Sequence, residues 1–143
     1  MTEQRASWIA TAVFAVSATL GVAVDIMEVP ALVVALVLFI GGMAAMFAAL
    51  VIAAGRSRTK NISVGGLFFL AESAPRDVQV QLLGSLAAQC LIGIVTAAVG
   101  AAKEPRSPSA FGVLAPIAGL GLAGLWAARH GNFADRLDPS AQQ

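Results

Sequence analysis

Residues 78–102 read VQVQLLGSLAAQCLIGIVTAAVGAA, and this stretch decides the fold class. Its 25 residues carry no charge and lie between Asp77 and Lys103. A helix rises about 1.5 Å per residue, so roughly 20 apolar residues cross the hydrocarbon core of a bilayer. The run is therefore long enough to span. It also holds Gln79, Gln81, Ser85, Gln89 and Thr96, most of the polar atoms that the chain places at membrane depth. At about 100° per residue, Gln81, Ser85, Gln89 and Thr96 share an arc of roughly 80°. Leu83, Ala87, Leu91, Ile94 and Ala98 cluster away from it. One face of this helix needs a partner and the other suits lipid.

Three further runs resemble it. The chain is 58% hydrophobic and 12% charged, with a mean hydropathy of +0.82, whereas a soluble domain is about 25% charged. Uncharged stretches at 6–24, 29–55, 78–102 and 107–128 take up 93 of the 143 residues. That leaves no room for a second folded domain. The expectation is an all-α membrane protein with one transmembrane domain over 1–143, a four-transmembrane-helix bundle with spans at about 7–24, 31–54, 78–102 and 109–128. The first run competes with a signal peptide, because Arg5 precedes it and Gly21-Val22-Ala23 resembles a cleavage site. It is longer than the usual apolar core of about 7–15 residues and Glu3 dilutes the basic flank, so a span is the better reading. A net charge of +1 offers nothing to nucleic acid. A lone cysteine, Cys90, excludes an intrachain disulfide and any multi-cysteine metal site.

Charge sets the orientation. With both termini in the cytoplasm, Arg5, Arg56, Arg58, Lys60, Arg76, Arg129 and Arg136 lie inside, and only Lys103 and Arg106 outside. Cytoplasmic loops are the basic ones, so the N-in/C-in topology follows. Trp8 and Trp126 then both sit at the cytoplasmic interface, where indole rings prefer to lie. The acidic turn Asp25-Ile26-Met27-Glu28 makes the first two spans a hairpin, with Pro30 in the first turn of the second helix. Gly55 is the expected cap of that helix. A cytoplasmic loop follows at 55–77, with an apolar segment at 62–70 that is too short to span. That segment belongs at the interface or tucked under the helices. Ser73 or Ala74 is the expected N-cap of the third span, with Pro75 and Asp77 in its first turn. Residues 103–108 read as a short external loop, Pro116 as a kink in the fourth span, Gly131 as its cap, and 132–143 as a disordered tail.

Hydrophobicity does not pull helices together in lipid, so small residues that let backbones approach matter. The second span offers Gly41, Ala45 and Ala48, and the fourth offers Gly112, Ala115, Gly119 and Ala123. The third-span stripe of Gln81, Ser85, Gln89 and Thr96 reads as interhelical glue, worth about 0.6 kcal/mol per bond, or as the lining of a polar path. Arg56, Arg58, Lys60 and Arg129 read as topology determinants that also touch lipid headgroups. His130, beside Arg129, reads as a cation capping a helix end.

No Asp, Glu, Lys, Arg or His lies within any expected span. Coupled carriers and intramembrane ionic catalysis depend on such groups. No catalytic set, cofactor motif or metal-ligand spacing stands out. Glu72, Arg76 and Asp77 are explained by helix-start chemistry, and Gly65-Gly66 by a flexible turn.

The run from Phe111-Gly112-Val113-Leu114-Ala115-Pro116 through Gly119-Leu120-Gly121-Leu122 to Leu125-Trp126-Ala127-Ala128-Arg129-His130-Gly131 resembles the last span of small uncharacterised four-helix membrane proteins of actinobacteria. The resemblance covers the last span and implies a bacterial inner membrane, with no activity attached. The functional expectation is a non-enzymatic accessory or scaffold subunit of a plasma-membrane complex or homo-oligomer, whose partners are the bilayer and other membrane subunits or itself. The alternative is a small transporter or channel for a neutral or amphiphilic solute, lined by the third helix.

Overall fold

The computed structural model describes residues 2–103 and 112–136. Among these residues the chain is all-helical, with no strand. The helices are α1 (Thr2–Ala23), α2 (Glu28–Arg56), the short α3 (Val64–Phe68), α4 (Arg76–Lys103) and α5 (Pro116–His130). Four segments are long and apolar enough to cross a membrane: α1, α2 with the turn before it, α4, and Gly112–His130.

The α1–α2 hairpin turns where Val24 adopts an extended conformation and Asp25–Met27 coil into one tight 3-10 turn. A Cβ on Gly21 would sit 2.6 Å from Ala31 Cβ, so the hairpin closes only around a glycine. α1 buries Ser7, Thr11, Phe14, Ala18 and Gly21. That alternating four- and three-residue spacing is the seam of a helix pair. Its partner is α4, which buries Val78, Leu82, Ser85, Gln89 and Gly93. Ser7 meets Ser85, Thr11 meets Gln89, and Lys103 Nζ reaches Val22 O. Both numbers climb together, so α1 and α4 run parallel.

α5 lies in the middle and packs against α1, α2, α3 and α4. Its small residues make this possible. A Cβ on Gly42 would lie 2.5 Å from the Ile117 carbonyl, and one on Gly121 would collide with the Gly42 carbonyl. α2 and α5 therefore touch backbone to backbone, also in parallel. Gly112, Ala115, Gly119 and Ala123 are all buried, as the expected packing face requires. On α2 the strip is displaced. Gly41 is exposed with open space where a Cβ would be, and Gly42 makes the contact, with Ala45 touching Gly121 and Ala49 fully buried. Ala48 is half-buried.

Several local expectations change. Pro116 starts α5 instead of kinking it, after a 3-10 turn at 112–114; a ring without an N–H is accommodated at a first helical position. Gly55 lies inside α2, which runs on to Arg56 and caps at Ser57. Ser73 does not cap α4. It is buried, and its hydroxyl donates to Gly66 O. The 62–70 segment forms α3, capped by Ser63, whose hydroxyl accepts from Gly66 N at 2.9 Å. α3 and the turn after it pack Leu67 and Leu70 into the core cluster with α5 residues.

The tail expectation fails for 132–136. Phe133 is buried among Leu67, Leu70 and Trp126. Asn61 N donates to Ala134 O at 2.9 Å and Arg136 N to Thr59 O at 3.0 Å. The Phe133 ring docks alongside these bonds, and Gly131 has no Cβ to strike it. The expected external loop beyond Lys103, the first residues of the fourth span, and the tail from 137 onward lie outside the described residues.

Gly121→Ala should lower stability by about 1–3 kcal/mol, the cost of overpacking a filled contact. Gly84→Ala, with open space around its Cβ position, should be neutral or mildly stabilising. Denaturant-induced unfolding of the two variants in one detergent checks the contrast.

Candidate functional site

Of the four third-span stripe residues, Ser85 and Gln89 meet side chains or backbone of other helices. Ser85 and Gln89 have no exposed surface. Ser85 Oγ contacts Ser7 Oγ and also approaches Leu82 O at 2.9 Å. Gln89 uses both ends of its amide. Its Nε2 donates to Thr11 Oγ1 at 2.8 Å, and its Oε1 accepts from Gly119 N at 3.1 Å. Thr11 Oγ1 in turn donates to Ser7 O at 2.8 Å. Thr96, half-buried higher on α4, donates to Ile92 O at 2.7 Å within its own helix. Gln81 is exposed and stands apart from the others.

The Gly119 bond sits at the start of α5. Pro116 opens the helix after its N-cap Ala115, and Ala118 N closes a tight turn on Ala115 O. Gly119 N, one residue further on, donates to Gln89 Oε1 across the helix contact. A Cβ on Gly119 would stand 3.0 Å from Gln89 Oε1, so glycine keeps the approach open. The outcome is one closed network tying α1, α4 and α5. Among the described residues, no buried side-chain nitrogen or oxygen lacks a hydrogen-bond partner.

The basic residues divide by task. Arg56 turns inward: Nη1 donates to Ala128 O at 2.7 Å and Nη2 to Gly131 O at 3.0 Å, and its guanidinium lies over the Phe133 ring at 5.5 Å. The last carbonyls of α5 are thus capped by the end of α2. Lys60 pairs with Asp135. Arg129, about half exposed, pairs with the buried Glu3 at 3.2 Å. Arg58 alone of the four points out with no partner among the described residues. His130 is exposed and stacks near Trp126, with ring centroids 5.6 Å apart. Cys90 is half-buried and unpaired.

Four participants escaped the sequence reading: Glu3, Ser7, Thr11 and Gln79. Gln79 Nε2 donates to Leu70 O and Ala74 O, and so holds the loop to α4. Ser7 and Thr11 carried a legible signal, since they continue the buried spacing of Phe14, Ala18 and Gly21. Among the described residues, no cluster of His, Cys, Asp or Glu is arranged to hold a metal ion.

Removing the two ends of one bond together separates the pair from its surroundings. A double-mutant cycle of Thr11→Val and Gln89→Leu should give a coupling of about 0.6–1.7 kcal/mol, the range for interhelical bonds in membranes. Gln81→Leu should leave stability unchanged. Reversible unfolding in mixed detergent micelles reads both.

The chain matches no protein-family model, no curated protein and no solved structure.

Proposed function

We propose that this chain is a non-enzymatic accessory or scaffold subunit of a bacterial plasma-membrane assembly, either a larger complex or a homo-oligomer, with both termini in the cytoplasm. The supporting observation is that the polar side chains between the helices, Ser7, Thr11, Ser85 and Gln89, bond to one another and to backbone within the chain. Among the described residues, no fully buried side-chain nitrogen or oxygen is left without a partner to hold or relay a solute. What remains on offer is the outside of the helices, above all α2. There Val37, Ile40, Phe47 and Val51 stand exposed around Gly41, which has nothing within 4 Å of a Cβ position. A glycine notch between large apolar side chains is the kind of surface on which a second helix gains close van der Waals contact in lipid.

The transporter alternative draws less support. Its two central residues, Ser85 and Gln89, are sealed and bonded. The cytoplasmic placement of the termini rests on the basic residues at the end where α2 finishes, α4 begins and α5 finishes: Arg56, Arg58, Lys60, Arg76 and Arg129.

Gly41→Leu should leave the unfolding midpoint unchanged, because the space is open, yet break the assembly recovered by gentle solubilisation and crosslinking. A wild-type chain that is a clean monomer with no crosslinked partner would overturn the scaffold reading. In a Cys90→Ala background, Ser85→Cys and Gln89→Cys should not react with water-soluble thiol reagents; reaction at both would favour the pathway. Terminal reporters should report the cytoplasm at both ends.

A further inference from the structure

A pocket of about 420 Å³ opens between the turn ahead of α4 and the last turn of α5. Its walls include Glu72, Ser73, Trp126, His130 and Asn132. Ser73 is spent on the fold: its hydroxyl donates to Gly66 O, and its carbonyl accepts from Asn132 N. The other four are not spent. The Glu72 carboxylate, Trp126 indole N–H, His130 imidazole and Asn132 carboxamide have no hydrogen-bond partner among the described residues. Trp126 is the telling member. It is only 8% exposed, yet its N–H is neither bonded nor sealed away. A largely buried indole usually finds a partner for that donor.

The wall that carries Glu72 is held firmly. Leu70 and Glu72 both take left-handed backbone conformations, with φ of 58° and 61°. Gln79 fastens the turn through Leu70 O and Ala74 O, and Asn132 N fastens it through Ser73 O. Non-glycine residues keep such conformations only where their surroundings over-determine them. Glu72 is therefore presented to the pocket by a braced loop.

The chemistry on offer among the lining residues is one carboxylate together with several N–H donors. A simple anion would meet the carboxylate, and a simple cation would leave the donors idle. A group with a phosphate and a nearby ammonium uses both. A quaternary ammonium needs open aromatic faces, but His130 stacks beside the one indole present. An ammonium that can donate hydrogen bonds to a carboxylate fits better. The pocket also lies where two candidate membrane spans, α4 and α5, meet their polar ends, the depth at which tryptophan and lipid headgroups mix. We propose that this pocket binds the headgroup of a phospholipid carrying a primary ammonium, the phosphoethanolamine class. The ammonium sits on Glu72, and the phosphate oxygens accept from the Trp126 N–H, with Asn132 and His130 beside them. This site is independent of the scaffold reading and stands or falls apart from it.

The full chain is titrated in detergent with phosphatidylethanolamine, phosphatidylcholine and phosphatidylglycerol of identical acyl chains, and adducts are counted by native mass spectrometry. The ethanolamine lipid should bind roughly tenfold more tightly than the choline lipid, the scale of one charge-assisted bond. Glu72→Gln should erase that preference, while Trp126→Phe, which keeps the ring, should weaken both lipids. Gly84→Ala, outside the pocket lining, should change neither. Circular dichroism and the unfolding midpoint verify that each variant is folded. Competition by soluble phosphoethanolamine at equal concentration would assign the site to the headgroup compound, free or lipid-borne; lack of competition would assign it to the intact lipid. Equal binding of all three lipids, or an unchanged preference in Glu72→Gln, would overturn the proposal.

Discussion

A carboxamide at membrane depth has to find partners for its oxygen and its nitrogen without help from water, and the arrangement of three helices follows from how Gln89 does so. An unmet polar group in hydrocarbon costs several kcal/mol. Gln89 reaches Thr11 on α1 with one end and the Gly119 backbone on α5 with the other. The first contact sets the register of α1 against α4, which the Ser7–Ser85 pair one turn away repeats. The second holds the beginning of α5 against α4, through Gly119 N. Pro116 supplies that beginning and Gly119 the clearance. A single side chain thereby links a proline, a glycine and a threonine that are far apart in sequence.

Much of this was legible in the residues. Long uncharged runs identify helices able to cross a membrane, because length and apolarity are properties of local sequence. The buried face of α4 was legible too, through Ser85 and Gln89, as was the small-residue face of α5. Other features depend on a neighbour that a single sequence does not display. Gly41 and Gly42 are equivalent as letters, and only the position of α5 chooses Gly42. Arg56 reads as a surface cation until the carbonyls of Ala128 and Gly131 are placed beside it. Gln79 lies in the apolar run yet serves the loop. Phe133 was overlooked because the residues around it suggest solvent, while its ring completes the packing under α3.

The end of the molecule that carries the long connection is more crowded than a helix-joining loop needs to be. α3, the Leu70–Ser73 turn, Arg56 and the residues after α5 lock together there through backbone, ionic and aromatic contacts. At the other end of α1 and α2, the Asp25–Met27 connection is a bare turn with no buried residue. The two connections thus differ in kind: one is a folded, cross-braced segment, the other a minimal reversal of the chain.

The brevity of α5 has a bearing on how the protein is made. Its 15 regular residues reach about 22 Å, short of a ~30 Å hydrocarbon core, and the turn ahead of it completes the distance. Irregular backbone at that depth is tolerated only inside protein. More than half of this segment's most apolar window is buried, against less than a third for each of the other three, and it is the least apolar of the four. A segment so dependent on its neighbours gains little by entering lipid alone. Synthesis from the N terminus delivers α1, α2 and α4 first, so the last helix emerges to find its cradle already built. The order of elements along the chain is then also an order of assembly, in which the central piece arrives last.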